Sequence, residues 1–289
     1  MDVPITFRLS SNGLERPKEH IVETKRMIFV SAEGTCTEPD YFNLLNENLK
    51  RDCPFKIQVL DHHRDTNSDP KHVLDLLEEC REIRTHGMSL FARTVAEAEP
   101  ELTEDRVLQF FEHPETLTET EKACVQIAII KMGIDADYCR YLQEVGDQKT
   151  SGEDRFAIVI DRDSGTHTRD TIIEIRDVCR EKHFEFCLSN PCFDLWLLLH
   201  LEFRLTTPVK KKLETNAYVS GKNTYSASLV AQHAHHAKSI PEMTFKRLYL
   251  PKIRSALKRA AKLATDEDAV IDRLGTRVPV LIQDLTRWL

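Results

Sequence analysis

The run RFAIVI at residues 155–160, which stops on Asp161-Arg162-Asp163, constrains this chain most. Six residues dominated by β-branched, aromatic and small apolar side chains read as a strand buried on both faces, the kind found in parallel sheets. A second run at residues 27–32 ends in the same manner, on Glu33-Gly34. Further strands are expected at 56–60 and 184–188. Helical spacing fills the intervals. Residues 38–49 put Tyr41, Leu45 and Leu49 on one face, with Thr37 as the expected cap and Asp40 three residues on. Asp69-Pro70 opens a helix carrying Val73, Leu74, Leu77 and Cys80, and 168–182 carries Ile172, Ile175 and Cys179. Asn190 and Pro191 are expected to cap CFDLWLLLHLEF, which is apolar nearly all round and therefore buried. Strands alternating with helices predict βαβ units: an α/β fold with a mainly parallel sheet flanked by helices.

Two regions fall outside this alternation. Residues 84–152 are helical in pattern and interrupt the crossover between strands two and three, so a helical insertion is expected there, with apolar faces (Val107, Phe110, Phe111) offered to a partner. Residues 204–289 read as a helical C-terminal region, including helices over 251–264 and 270–289. The core is thus expected at 26–203, with residues 1–25 as a loose polar arm. With 41% hydrophobic residues the chain can bury a core, and no run approaches the roughly 18 apolar residues that a membrane span needs. The first twenty residues lack the apolar stretch of a signal peptide, which points to the cytoplasm and to no membrane partner. The eight cysteines form no C-x-x-C pair, which argues against a zinc ribbon or a disulfide framework.

Charge is unevenly placed. The chain carries a net −7, yet 97–121 alone holds nine acids against Arg106. In 204–262, thirteen Lys and Arg stand against Glu214 and Glu242. Such asymmetry points to an anionic partner, DNA or RNA, for the basic stretch. The candidate contacts are Lys210, Lys211, Lys212, Lys222, Lys246, Arg247, Lys252, Arg254, Lys258 and Arg259.

Glu33, Asp161 and Asp163 carry the chemistry. In a parallel sheet all strands end at one edge, and neighbouring strands lie about 4.8 Å apart. If the first and third strands are neighbours, the three acids converge. Carboxylates that close repel without a cation, and hard oxygen donors completed by water and phosphate suit Mg²⁺ or Mn²⁺. A phosphate ester is the substrate class such a metal serves.

A Glu after the first strand and D-x-D after the third is the pattern of the Toprim fold. The blocks VSAEGTCTEPDYF, DPKHVLDLL, IVIDRDSG, LSNPCFDLWLLLHLEF, IRSALKRAAKL and LGTRVPVLIQDL resemble the RloB family in the same order, from about residue 26 to the end. SNPCF-acid-LWLLLH is the most specific of them. The resemblance implies a Toprim-type nuclease core that acts as an effector of phage defence, of the abortive-infection kind, beside an ABC- or AAA-type ATPase. Glu33, Asp161 and Asp163 match the family's catalytic and metal positions. The chain departs from the family in 84–152, which is longer than the usual crossover.

Other residues carry weaker signals. Glu38 is either a site residue or a first-turn acid favoured by the helix dipole. Ser189, Asn190 and Asp194 follow the fourth strand and either bind substrate, steady the site or cap the buried helix. His200 reads as a satisfied core histidine with a lesser prospect of a site role, and Trp196 as core. His62-His63 follow strand two and stand near the expected edge. In HAHH, His233, His235 and His236 read as a solvated helix face.

A topoisomerase would need a tyrosine-nucleophile domain, and bacterial primases usually add a zinc module; neither is present in this sequence. Metal-dependent phosphodiester hydrolysis remains, with Glu33 completing the metal shell or acting as general base. The alternative is a non-catalytic regulatory or toxin subunit that binds an ATPase and nucleic acid. A homo-oligomer stays open.

Overall fold

The computed structural model describes residues 26–60, 69–99, 101–131, 153–163, 165, 167–221 and 223–289. Its centre is a five-stranded sheet. Strands β1 (Arg26–Ala32), β2 (Phe55–Val59), β3 (Arg155–Asp161) and β4 (Glu185–Asn190) run parallel, in the order β2-β1-β3-β4. Ala32 is level with Val159, and Asp161 with Ser189. β1 and β3 are therefore neighbours, as the convergence of the acids required.

Period-two alternation gives each sheet face its own core. Met27, Phe29, Ile158, Ile160, Phe186 and Leu188 pack to one side, against helices α2 (Pro70–His86) and α6 (Arg169–Lys182). Ile28, Val30, Ala157, Val159 and Cys187 pack to the other, against α1 (Thr37–Glu47) and α7 (Asp194–His200). α2 starts as expected: Asp69 caps it by accepting from the Lys71 amide at 2.8 Å, with Pro70 in the first turn. α7 is apolar all round because it is enclosed, with every residue from Leu195 to His200 buried.

The described residues from 84 to 131 are mainly helical, but the boundary expected at Arg84 falls inside α2. Helices α3 (Met88–Ala98), α4 (Glu104–Glu112) and α5 (Glu119–Lys131) follow. Their apolar faces turn inward: Val95, Val107, Phe110, Phe111 and Val125 join the core that contains β1 and β3. What the described insertion presents to solvent is mostly acidic, with Cys124 and Ile127 of α5 exposed among the acids. Arg84 and Asp154 form a half-hidden ion pair at 2.6 Å, and Asp154 also accepts from the Met27 amide, so both ends of the insertion are tied to β1. Residues 1–25 and 132–152 lie outside the described residues.

Three local expectations are corrected. Thr37 does not cap α1; its hydroxyl donates to the Lys238 carbonyl at 2.6 Å, because the loop at 238–240 packs on that helix end. Asn190 belongs to β4, not to a cap, and its amide donates to the carbonyls of Val270 and Ile271. The single helix expected over 270–289 is broken into α12 (Ala269–Asp272), the strand β7 (Gly275–Thr276), α13 (Val278–Ile282) and a 3₁₀ turn (Gln283–Trp288). β7 pairs antiparallel with β4 and closes that edge of the sheet. Gly275 is what permits the approach: a side chain there would collide with the Ala264 backbone.

The rest of 204–289 comprises α8 (Thr207–Thr215), a ribbon of β5 (Tyr218–Ser220) and β6 (Asn223–Thr224), α9 (Tyr225–Ala234), and helical turns that lead from α10 (Glu242–Thr244) into α11 (Ile253–Ala260). No helix among the described residues is long and apolar enough to cross a membrane.

Candidate active site

The chain leaves β1 toward β2 on one side, and β3 lies on the other side of β1. Open α/β sheets hold their ligands at such a reversal, in the crevice beyond the strands' C-terminal ends. Glu33 and Asp161 flank that crevice. The Glu33 amide continues the ladder to the Val159 carbonyl at 2.9 Å. One oxygen of its carboxylate accepts from the Asp161 amide at 3.0 Å, and the other meets His167 Nε2 at 2.9 Å.

Two further carboxylates crowd the same point. Glu38, in the first turn of α1, is only 6% exposed. Its carboxylate lies against the Gly34 backbone, so that a side chain at 34 would displace it. Asp194, the first residue of α7, accepts from the Ser226 hydroxyl at 3.1 Å. Asp161 accepts from the Phe193 amide at 2.8 Å. Asp163 stands at the rim: its amide donates to the Pro191 carbonyl at 3.1 Å, and its carboxylate accepts from the Gly165 amide at 3.3 Å. The Asn190–Pro191 peptide bond beside it is cis.

Burial pushes all four inner carboxyls upward. Asp161 rises well above the usual range, through burial first and then the charges of Glu38, Glu33 and Asp194. Burial and its acidic neighbours raise Glu38 to about 7. Asp194 rises through burial, partly offset by its bonds to Ser226 and Cys192. Glu33 also rises through burial, partly offset by the Asp161 amide and by His167. Among the described residues no Lys or Arg forms an ion pair with any of the four. The cluster holds more carboxyl groups than its surroundings readily keep ionised.

Two hollows meet here. One, of about 390 Å³, is lined by Glu33, Glu38, Asp161, Asp194 and, from the facing segment, Lys238. The other, of about 450 Å³, is lined by Asp161, Asp163, Asn190, Asp194, Asn216 and Tyr218. Cys192 borders both. Among the described residues no group of three His, Cys, Asp or Glu side chains is arranged to hold a metal ion as it stands.

The remaining candidates separate. Ser189 is fully buried and bonds the Thr276 hydroxyl at 2.8 Å, which fastens β7 to β4. His200 lines neither hollow; it bonds the Tyr41 hydroxyl at 3.2 Å and the Trp196 carbonyl at 2.9 Å, and burial lowers its pKa to about 3. His236 is buried rather than solvated, with its ring on the Tyr249 hydroxyl and the Ala237 carbonyl, so the reading of HAHH as a solvated face is corrected at that residue. His62, His63 and Lys222 lie outside the described residues.

Among the basic residues, Lys211, Lys212, Lys246, Arg247, Arg254 and Lys258 are exposed. Lys210 is half-buried on α8. Lys246 pairs with Glu242 and Lys252 with Glu202. Arg254 donates to the Thr286 carbonyl, and Arg259 to the carbonyls of Leu199 and Leu201, where it closes the C-terminal end of α7.

His167 was not legible beforehand. Its amide donates to the Asp163 carbonyl at 3.0 Å, and its ring meets Glu33. A short histidine-bearing loop after D-x-D was the available signal.

A mainly parallel open sheet flanked by helices, with buried carboxylates at its reversal point, defines an open-sheet α/β protein. Within that class the chain belongs to the RloB family: the RloB-like protein model matches residues 28–285, nearly the whole length. No curated protein and no solved structure matches the chain.

Proposed function

We propose that this chain is a Toprim-type, divalent-metal-dependent nuclease that hydrolyses phosphodiester bonds of DNA or RNA, as the effector of a phage-defence system working with an ABC- or AAA-type ATPase. The observation that carries the catalytic part is the clustering of Glu33, Glu38, Asp161 and Asp194 at the reversal between β1 and β3, with Asp163 at the rim. Membership of the RloB family supports the defence role and the ATPase partner.

The donor set supports Mg²⁺ or Mn²⁺. It consists of hard carboxylate oxygens, buried, with raised pKa values and little compensating charge. Asp161, Asp163 and Glu33 would hold the cation, with Glu38 and Asp194 beside them. When bound, it would polarise the phosphate and stabilise the leaving oxygen. Glu33 is steadied on both oxygens, by the Asp161 amide and by His167, so it can present one face to a cation or take a proton from an attacking water. Exposed lysines of α8 supply phosphate contacts that position the strand without reading its sequence.

The test is incubation of the purified chain with Mg²⁺ and plasmid, single-stranded DNA or total tRNA. Cleavage that is lost in EDTA and in folded Glu33→Gln and Asp161→Asn variants is expected. A folded Glu33→Gln protein that cleaves at the wild-type rate removes Glu33 from the chemistry. No cleavage of any substrate, with or without the ATPase, favours the non-catalytic subunit instead.

A further inference from the structure

Beside the second hollow stands a ribbon that the catalytic reading does not use. β5 and β6 pair antiparallel, with an irregular register between Tyr218 and Ser220. The base of the ribbon is fixed. The Tyr225 amide donates to the Ala217 carbonyl at 3.0 Å, the Ser226 amide to Asn216 Oδ1 at 2.9 Å, and Thr224 caps α9. Its apolar side chains are nevertheless not covered: Tyr218 is 73% exposed and Val219 is 51% exposed. A large ring held in water on an anchored element forgoes the gain that burial would bring.

Position gives that ring a use. Tyr218 lines the hollow that also holds Asp161 and Asp163. α8, which carries Lys210, Lys211 and Lys212, runs directly into the ribbon, and the Lys212 ammonium lies 5.5 Å from the Tyr225 ring centroid. Along the chain, the cations of α8 lead into an open aromatic ring, and that ring lines a hollow with a carboxylate floor. Sites for unpaired nucleic acid combine the same elements, with phosphates on the cations and bases stacked on the rings. Glu214, at the same rim, disfavours a phosphate beside the ribbon and leaves that place to a base.

We propose that Tyr218 is a stacking platform for an unpaired nucleobase, so that the site takes single-stranded nucleic acid in preference to duplex. This rests on the phosphodiesterase reading above and names its substrate class. A duplex gains nothing from the ring, because both faces of each internal base are already stacked. A single strand laid on α8 would place a base on Tyr218 and carry its backbone past Asp163 toward Asp161.

The test is fluorescence anisotropy of the full chain in EDTA, with a labelled single-stranded oligonucleotide and a duplex of equal length, on wild type, Tyr218→Ala and Tyr218→Phe. Single-strand Kd should rise roughly tenfold in Tyr218→Ala, the change expected for one lost stacked base. Tyr218→Phe should stay within about twofold of wild type because the ring is what stacks. Duplex binding should be the weaker in wild type and unchanged in both variants. Wild-type preference for duplex, an unchanged single-strand Kd in Tyr218→Ala, or equal losses in Tyr218→Phe and Tyr218→Ala would each overturn the platform, even for a chain that cleaves with Mg²⁺. An unchanged Kd would leave Tyr218 to a protein partner. A wild-type chain that binds neither oligonucleotide overturns the platform, while the nuclease reading stands or falls separately on cleavage with Mg²⁺.

Discussion

His167 Nε2 stands 2.9 Å from Glu33 Oε1, across 134 residues of sequence, and the opposite carboxylate oxygen takes the Asp161 amide. The two bonds fix a carboxylate that joins β1 to β3 at the sheet's C-terminal edge. A hydrogen bond to a charged group contributes roughly 1.5–3 kcal/mol. His167→Ala is therefore expected to slow Mg²⁺-dependent cleavage about tenfold or more while leaving the melting temperature within a few degrees of wild type. His167→Gln, which can still donate toward Glu33, should recover part of the rate. Single-turnover cleavage with a thermal melt of each variant checks both.

Stability should fall with pH at the acidic cluster. Burial raises Glu38 from 4.5 to about 7, so between those values the folded chain holds protons that the unfolded chain has released. The contribution of Glu38 is then most favourable below about 4.5, declines as pH rises through that window, and is at its worst above about pH 7. Glu38→Gln should raise the melting temperature at about pH 8 and change it little near pH 4.5. Mg²⁺ should raise the wild-type melting temperature more at the higher pH, where the acids are ionised. Melts at both pH values decide the matter; an equal shift at both would mean that Glu38 does not carry the penalty.

Lys211 and Lys212 are exposed on α8, and Lys210 is partly so. Replacing all three by Glu should weaken nucleic-acid binding and flatten its salt dependence, because each lost phosphate contact lowers the slope of log K against log salt by roughly 0.7–0.9. A titration across salt concentrations reads this directly, and an unchanged slope excludes these lysines from the contact. Arg259→Ala should behave differently and lower stability rather than the slope, since Arg259 serves the carbonyls that end α7.

Phe110 is fully buried in the insertion, edge-on to Phe111 at 5.1 Å, within the core that contains β1 and β3. Phe110→Ala should cost about 3–5 kcal/mol in urea unfolding. Removal of the whole insertion is expected to unfold the sheet's face rather than spare it. Association with the proposed ATPase partner is better tested by charge reversal on the exposed acids, such as Glu97, Glu112 and Glu115, followed by co-purification.

The sequence alone determined what depends on local period and local chemistry. Apolar runs of five or six residues became β1, β3 and β4, the Asp69-Pro70 pair started α2, and the acids at 33, 161 and 163 fell at strand ends. These follow from side-chain alternation, fixed proline geometry and the edge that parallel strands share. Only the tertiary structure decided that β1 lies beside β3, that Glu38 and Asp194 crowd Asp161, and that His167 turns back onto Glu33. It also drew Thr37, Asn190 and Gly275 into long-range contacts, so that capping preference and helical spacing gave way at those positions. The physical reason is desolvation. Once α1 and α7 close over the sheet, a buried or partly buried amide or carboxylate must find its partner wherever the packing has placed one, and local spacing does not encode that place.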